Sequence, residues 1–214
     1  MYEPLHFRAE DREAAFRLVR ENPLGLLISQ GVGEIIANPI PFLLEEESDK
    51  LFLRAHVARP NPQWKLLQES PQALVVFQGL GHYVTPEWYE TKRESGKVVP
   101  TWNYMLVQMR GAASIREDRD FLHRQISALT STHEGKRADP WAVTDAPDAY
   151  IEAQMRGILG IEIEVARWSG KFKLSQNRSE ADRAGVVTGL AAEPGAVGPA
   201  MSAIMASTVE KKQS

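Results

Sequence analysis

Three short stretches of this chain carry residue types that could hold a small ligand by an anionic end and a flat polar edge. The first is Arg54-Ala55-His56-Val57-Ala58-Arg59-Pro60-Asn61-Pro62-Gln63-Trp64. On a strand Arg54 and His56 share a face, and the strand feeds a helix for which Asn61 is a good N-cap and Pro62 a good first residue. The first turn of such a helix presents unpaired N–H groups and partial positive charge, which favour anions, phosphate above all. Arg59 would add a charge-assisted contact. The plain alternative is two solvated arginines and a hydrogen-bonded structural histidine.

The second stretch, Lys97-Val98-Val99-Pro100-Thr101-Trp102-Asn103-Tyr104, interrupts an apolar run with polar groups and two large rings. In a strand Thr101 and Asn103 face one way while Trp102 and Tyr104 face the other. A hydroxyl and an amide among apolar neighbours need partners, which the edge of a planar heteroaromatic ligand could supply. Otherwise Asn103 caps a bulge near Pro100.

The third is Ser169-Gly170-Lys171-Phe172-Lys173-Leu174-Ser175-Gln176-Asn177-Arg178. Extended, it puts Lys171 and Lys173 on one side, and Arg178 follows; cations with amides between them suit a phosphate or an acidic partner. A solvated strand edge guarded by lysine is the competing explanation.

Several chemistries are excluded or lack their signatures. The chain has no cysteine, so it has no disulfide, thiolate metal site or cysteine nucleophile. Gly79-Leu80-Gly81 is a lone G-x-G, and no P-loop, G-x-S-x-G or H-E-x-x-H motif occurs. His6, His56, His82, His123 and His133 show no metal-ligand spacing. A net charge of -3 argues against a chain devoted to non-specific nucleic-acid binding. The absence of a leader pattern and of a long apolar run predicts a cytoplasmic protein without a membrane span.

The elements that must position these residues follow from periodicity and punctuation. Across 214 residues, 43% hydrophobic and 25% charged, an ordinary globular core is expected. Helical spacing covers residues 10–20 and stops at Asn22-Pro23. Residues 24–29 and 33–44 read as a hairpin turning at Gly31-Val32-Gly33. Glu45 to Asp49 reads as a turn before a strand at 51–57, then a helix over 61–70 and a strand at 73–78. Gly79 to Tyr83 reads as a turn and 86–96 as a surface helix. A long strand to about Ile115, a helix over 118–132, a short helix to Arg156 and a strand over 158–168 follow. Six or seven strands without regular strand-helix alternation predict a mainly β, antiparallel barrel with inserted helices. Residues 1–178 are expected to form that domain. Residues 179–214 are expected to form a helical C-terminal appendage packed on it, with flexible final residues.

Taken together in order, His56–Trp64, His82-Tyr83-Val84-Thr85-Pro86-Glu87-Trp88-Tyr89, Lys97–Tyr104 and Gly170–Arg178, after an opening Met1-Tyr2-x-Pro4-x-His6-Phe7, resemble the PaiB-like family of FMN-binding negative transcriptional regulators. The resemblance implies a split β-barrel related to pyridoxamine phosphate oxidase, a homodimer, and FMN at its interface. Carried onto this chain, it implies His56, Arg59, Asn61, Gln63 and Trp64 near the phosphate and ribityl chain. It implies Thr101, Trp102, Asn103 and Tyr104 near the ring system, and Lys171, Lys173, Gln176 and Asn177 closing the site. The family name implies repression, yet no base-reading helix-turn-helix is visible, and Lys92-Arg93, Lys136-Arg137 and Lys211-Lys212 are scattered. The alternatives are an FMN-dependent oxidoreductase with a nicotinamide reductant, its catalytic residues open, and a haem-handling barrel using His6, His56 or His82.

Overall fold

The computed structural model describes residues 1–31 and 33–213, with side chains through residue 208. The expected turn residue Val32, the side chains of Lys211-Lys212 and the expected flexible end at residue 214 lie outside the described residues.

Helix α1 (Arg12–Glu21) buries Ala15, Phe16, Leu18 and Val19 on one face. It closes where the Asn22 side chain donates to the Leu18 carbonyl at 2.9 Å, ahead of Pro23. Strand β1 (Leu24–Gly31) pairs antiparallel with β2 (Glu34–Pro41), Leu24 opposite Pro41 and Gly31 opposite Glu34.

The single strand expected over 33–44 is two. After Phe42 the chain starts β3 (Leu43–Glu47), which pairs with β4 (Lys50–Ala58), while β2 pairs with β1. Pro39 and Pro41 carry no N–H for a ladder, so this segment suits a sheet edge and a change of partner. The turn expected over Glu45 to Asp49 shrinks to Ser48 and Asp49, both at positive φ (49° and 66°).

Helix α2 (Gln63–Glu69) leads to β5 (Gln72–Val84), which runs straight through the expected turn at Gly79–Tyr83. Glycine permits a turn without demanding one, and neither Gly79 nor Gly81 has a positive φ. The helix expected over 86–96 is broken at Tyr89: a 3-10 turn at Pro86–Trp88 precedes α3 (Glu90–Ser95). Tyr89 is extended because its ring is buried, and α3 ends at Gly96 with φ 67°.

Strand β6 (Thr101–Arg116) starts directly after Pro100. Asp118 caps α4 (Arg119–Glu134) by accepting the Phe121 N–H at 2.9 Å. After α5 (Asp148–Arg156), β7 (Ile158–Lys173) continues five residues beyond the expected end at 168, then α6 (Glu180–Ala192) and α7 (Val197–Gln213) complete the chain. The strand order is β2-β1-β5-β6-β7-β4-β3, and the β1–β2, β1–β5, β3–β4 and β4–β7 pairs are antiparallel. The expected mainly β, antiparallel architecture with inserted helices is therefore what the chain forms.

The chain divides into two compact units. One, the terminal unit, comprises 1–12, 78–106 and 169–214; the other, the central unit, comprises 13–77 and 107–168. In the central unit Phe42 meets Phe77 edge-on at 6.0 Å, and Gly111 lies so close to the Glu164 carbonyl that an added Cβ would fall 1.9 Å from it. In the terminal unit, Gly185 of α6 abuts the Trp88 carbonyl, where a Cβ would fall at 2.0 Å. Each unit thus fixes one strand or helix approach with a glycine.

Candidate functional site

In the central unit, Arg54 of β4 is 16% exposed and holds three carboxylates. It donates to Glu45 and Glu162 at 2.7 Å each, and to both oxygens of Glu47. The Glu47 bonds lead in pushing the Arg54 pKa up, against the opposing effect of burial. Arg54 is thus a structural hub whose donors are spent on this web. His56 Nδ1 lies 2.7 Å from Gln125 Oε1 on α4, which fixes the imidazole in place.

Arg59 donates to Glu117 at 3.0 Å and to the Arg156 carbonyl at 3.1 Å, so its charge already has a carboxylate partner. Asn61 does cap, but from one position further out than expected. Its Oδ1 accepts the Gln63 N–H at 3.0 Å, and Pro62 stands at the N-cap of a seven-residue helix. Gln63 is completely buried: its Nε2 donates to the Leu27 carbonyl at 2.8 Å and the Ile36 carbonyl at 3.3 Å, and its Oε1 accepts from Asn38. It cross-links α2 to the β1–β2 hairpin. Trp64 donates its indole N–H to the Arg59 carbonyl at 3.0 Å.

A cavity of about 900 Å³ opens in this unit, lined from β3, β4 and β7 and by α4 residues including His123, Arg124, Gln125 and Ser127. The sequence predicted a helix over 118–132 and pointed to no site residue on it. The available signal was Gln125, a polar residue four positions after Phe121 on the apolar stripe of that helix, and it is 3% exposed.

In the terminal unit the alternation of β6 is visible in its burial: Trp102 is 56% exposed and Asn103 fully buried. Asn103 Oδ1 accepts from the Ser175 hydroxyl at 3.1 Å, and its amide approaches the Met205 sulfur at 3.3 Å. Its polar capacity ties β6 to the turn after β7 and to α7. Gln176 is likewise turned inward, accepting the Leu174 N–H at 2.6 Å and donating to the Phe172 carbonyl, beside Ser175 at φ 61°. Asn177 is exposed.

The cations of the stretch 169–178 in this unit are held by neutral groups. Lys171 donates to the Tyr2 carbonyl at 3.3 Å, with its ammonium 5.2 Å from the Tyr2 ring and 5.6 Å from the Tyr104 ring. Lys173 donates to the Thr101 hydroxyl and to the Trp102 carbonyl at 2.7 Å. Arg178 lies over the Tyr89 ring at 4.5 Å. Among the described residues none of these three has a carboxylate in ion-pair range. Burial, then the charges of Lys171 and Arg178, push the Lys173 pKa below its ordinary value of 10.5. Burial pushes the Tyr89 phenol up, and its hydroxyl is enclosed without a hydrogen-bond partner among the described residues.

This donor set fits a phosphorylated aromatic cofactor. Three unneutralised cations beside exposed and half-exposed rings supply what a phosphate and a planar ring each require. The histidines named for iron are differently engaged: His82 Nδ1 lies 2.7 Å from the Tyr83 carbonyl, and His6 packs edge-on to Phe7 at 4.1 Å. Among the described residues no group of three His, Cys, Asp or Glu is placed to hold a metal ion.

The architecture defines a mainly β, antiparallel protein of the split-barrel class. Residues 1–167 match the family described as "Putative FMN-binding domain", and the chain belongs to that family. It is similar to an uncharacterised protein of Emericella nidulans, 40% identical over 86% of this chain and 90% of that one. It is also similar to the protease synthase and sporulation protein PAI 2 of Bacillus subtilis, 32% identical over 99% of this chain and 100% of that one. Among solved structures, the FAD and haem binding protein of Mycobacterium smegmatis shares the fold with a TM-score of 0.57 at 20% identity, covering 78% of this chain and 73% of that one.

Proposed function

We propose that the chain binds FMN, anchors its phosphate with the terminal-unit cations Lys171, Lys173 and Arg178, and uses the flavin's state to drive a regulatory output. The observation that carries this reading is the cation cluster without a carboxylate partner among the described residues. An arriving phosphate would accept charge-assisted hydrogen bonds and offset the burial, and then the repulsion from Lys171 and Arg178, that depress the Lys173 pKa. The bound isoalloxazine supplies electron transfer; the chain binds, orients and shields it. Thr101 and the Trp102 carbonyl position Lys173, while Tyr104 and Trp102 offer ring faces. Asn103 and Gln176 act by holding the turn that carries Lys173 and Arg178. His56, Arg59, Asn61, Gln63 and Trp64 are a second candidate set, for which the existing internal bonds leave less capacity.

Exposed Trp102, with Tyr83 edge-on at 6.0 Å and Val99 65% exposed, gives the terminal unit an apolar surface suited to a second copy, which supports a homodimer. Regulation through the flavin, rather than through a DNA-reading surface of this chain, is favoured because Lys92, Arg93 and Arg137 are each paired with a glutamate. Among the described residues no helix is long and apolar enough to cross a membrane.

Titration of the purified protein with FMN, read by flavin fluorescence, tests the reading. Saturable quenching is expected with FMN and weaker quenching with riboflavin. Equal affinity for both would remove the phosphate anchor, and no quenching would remove the cofactor. NAD(P)H-dependent turnover on an acceptor would move the protein to the oxidoreductase reading.

A further inference from the structure

The central-unit cavity has an imbalance that the flavin reading does not use. Each carboxylate lining it accepts from an arginine: both oxygens of Glu162 from Arg54 and Arg116, both oxygens of Glu47 from Arg54, and Oε2 of Glu45 from Arg54. Donors at the same cavity remain uncommitted. Gln125 is 3% exposed and lines the cavity, and its Nε2 has no hydrogen-bond partner among the described residues while its Oε1 is held by His56. An enclosed amide without a partner is costly and calls for an acceptor. One residue away, Arg124 is exposed at the same cavity and has no ion pair within 4 Å among the described residues; it acts on Glu47 at longer range. Ser127, on the next turn, adds a hydroxyl.

We infer that this cavity is an effector site for a small organic acid, whose carboxylate is received by Gln125 Nε2 and Arg124 and whose presence is transmitted to His56 through Gln125. A planar carboxylate can accept from an amide N–H and a guanidinium at once. The volume of about 900 Å³ leaves room for the carbon skeleton beside Phe52 and Phe121. Transmission needs no long path. Gln125 holds the imidazole with one end of its amide and would hold the ligand with the other, so ligand binding fixes the amide orientation and the His56 hydrogen bond together.

The test uses the full chain with citrate as the probe, at constant ionic strength. Calorimetry should show saturable binding that weakens at least tenfold in Arg124→Gln, an exposed position that leaves the fold intact, and the His56 imidazole ¹⁵N resonances should shift with the same saturation. Citrate binding that is unaffected in Arg124→Gln, or that leaves the His56 resonances unmoved, overturns the proposal. FMN is titrated in parallel. If FMN and citrate exclude each other and Arg124→Gln weakens FMN as much as citrate, the cavity is the flavin phosphate seat and the separate effector site fails. If FMN does not bind while citrate still moves His56, the flavin reading fails and the effector site stands.

Discussion

The two cation clusters of the candidate sites, one in each compact unit, treat positive charge in opposite ways. In the central unit Arg54 is ringed by Glu45, Glu47 and Glu162, Arg59 faces Glu117, and Arg116 shares Glu162 and Asp118. These arginines hold the fold together. In the terminal unit Lys171, Lys173 and Arg178 rest on carbonyls, a hydroxyl and aromatic faces. Neutral acceptors can position a cation but cannot cancel its charge, so that unit retains the field an anionic ligand would use. A run of basic residues in a sequence therefore says little about binding until its carboxylates are located.

The largest effect expected from breaking this contrast is on stability. Arg54→Met should cost roughly 2–4 kcal/mol in denaturant unfolding at neutral pH, because it leaves Glu45, Glu47 and Glu162 crowded and unpaired; solvent at Glu47 keeps the cost below that of a fully buried pair. The pH dependence has a definite sign. The Glu47 pKa is lowered, chiefly by its bonds to Arg54, so its stabilisation is complete above the ordinary 4.5 and is lost as pH falls through the lowered folded value. The gap between wild type and Arg54→Met should close on acidification; a gap constant from pH 7 to 3 would show that Arg54 acts through packing.

Lys173→Gln should do the reverse: it should weaken FMN by roughly 1.5–3 kcal/mol, the range for a hydrogen bond to a charged group, and leave riboflavin almost unchanged. Its stability should hold or improve at neutral pH. The lysine pKa is lower in the folded chain, so folding expels a proton from it, and stability rises with pH between the lowered value and 10.5. FMN affinity should fall over the same rise in pH, and the dependence should flatten in Lys173→Gln. A pH-independent affinity would place the phosphate elsewhere.

Asn103→Ala should cost about 1–3 kcal/mol by leaving Ser175 without its acceptor inside the protein, measured by thermal unfolding of the apo chain. A loss of FMN with no change in unfolding would make Asn103 a ligand contact instead. The smallest change is expected for Arg59→Ala, under about 1 kcal/mol in FMN affinity, because Glu117 already balances that guanidinium. If Arg59→Ala weakens FMN more than Lys173→Gln does, the comparison between units inverts and the phosphate belongs to the central unit.

Much of the architecture was legible in the chain itself. The helices over 12–21 and 119–134 and the long strand that ends at Arg116 follow from periodicity. The strand through Gly79 and Gly81 and the helix break at Tyr89 were not, because glycine allows either outcome and Tyr89 is extended to bury its ring. The candidate site divides the same way. Lys171 and Lys173 were recognisable as a same-face pair, whereas Asn103 and Gln63 looked like ligand groups and are enclosed cross-links. Any polar residue in an apolar run needs a partner, and the run does not say whether that partner is a ligand or the protein.

By itself, then, the sequence determined the family, the antiparallel strand set and the residue types able to meet a phosphate and a ring. Those depend on local spacing, backbone chemistry and motif order. The tertiary structure alone decided which cations are neutralised and which amides are spent, since Arg54 finds Glu162 108 residues away, Arg59 finds Glu117 58 away, and Gln125 is left half-satisfied beside His56. Charge and hydrogen-bond balance act through space at a few ångströms, a distance that separation along the chain does not encode.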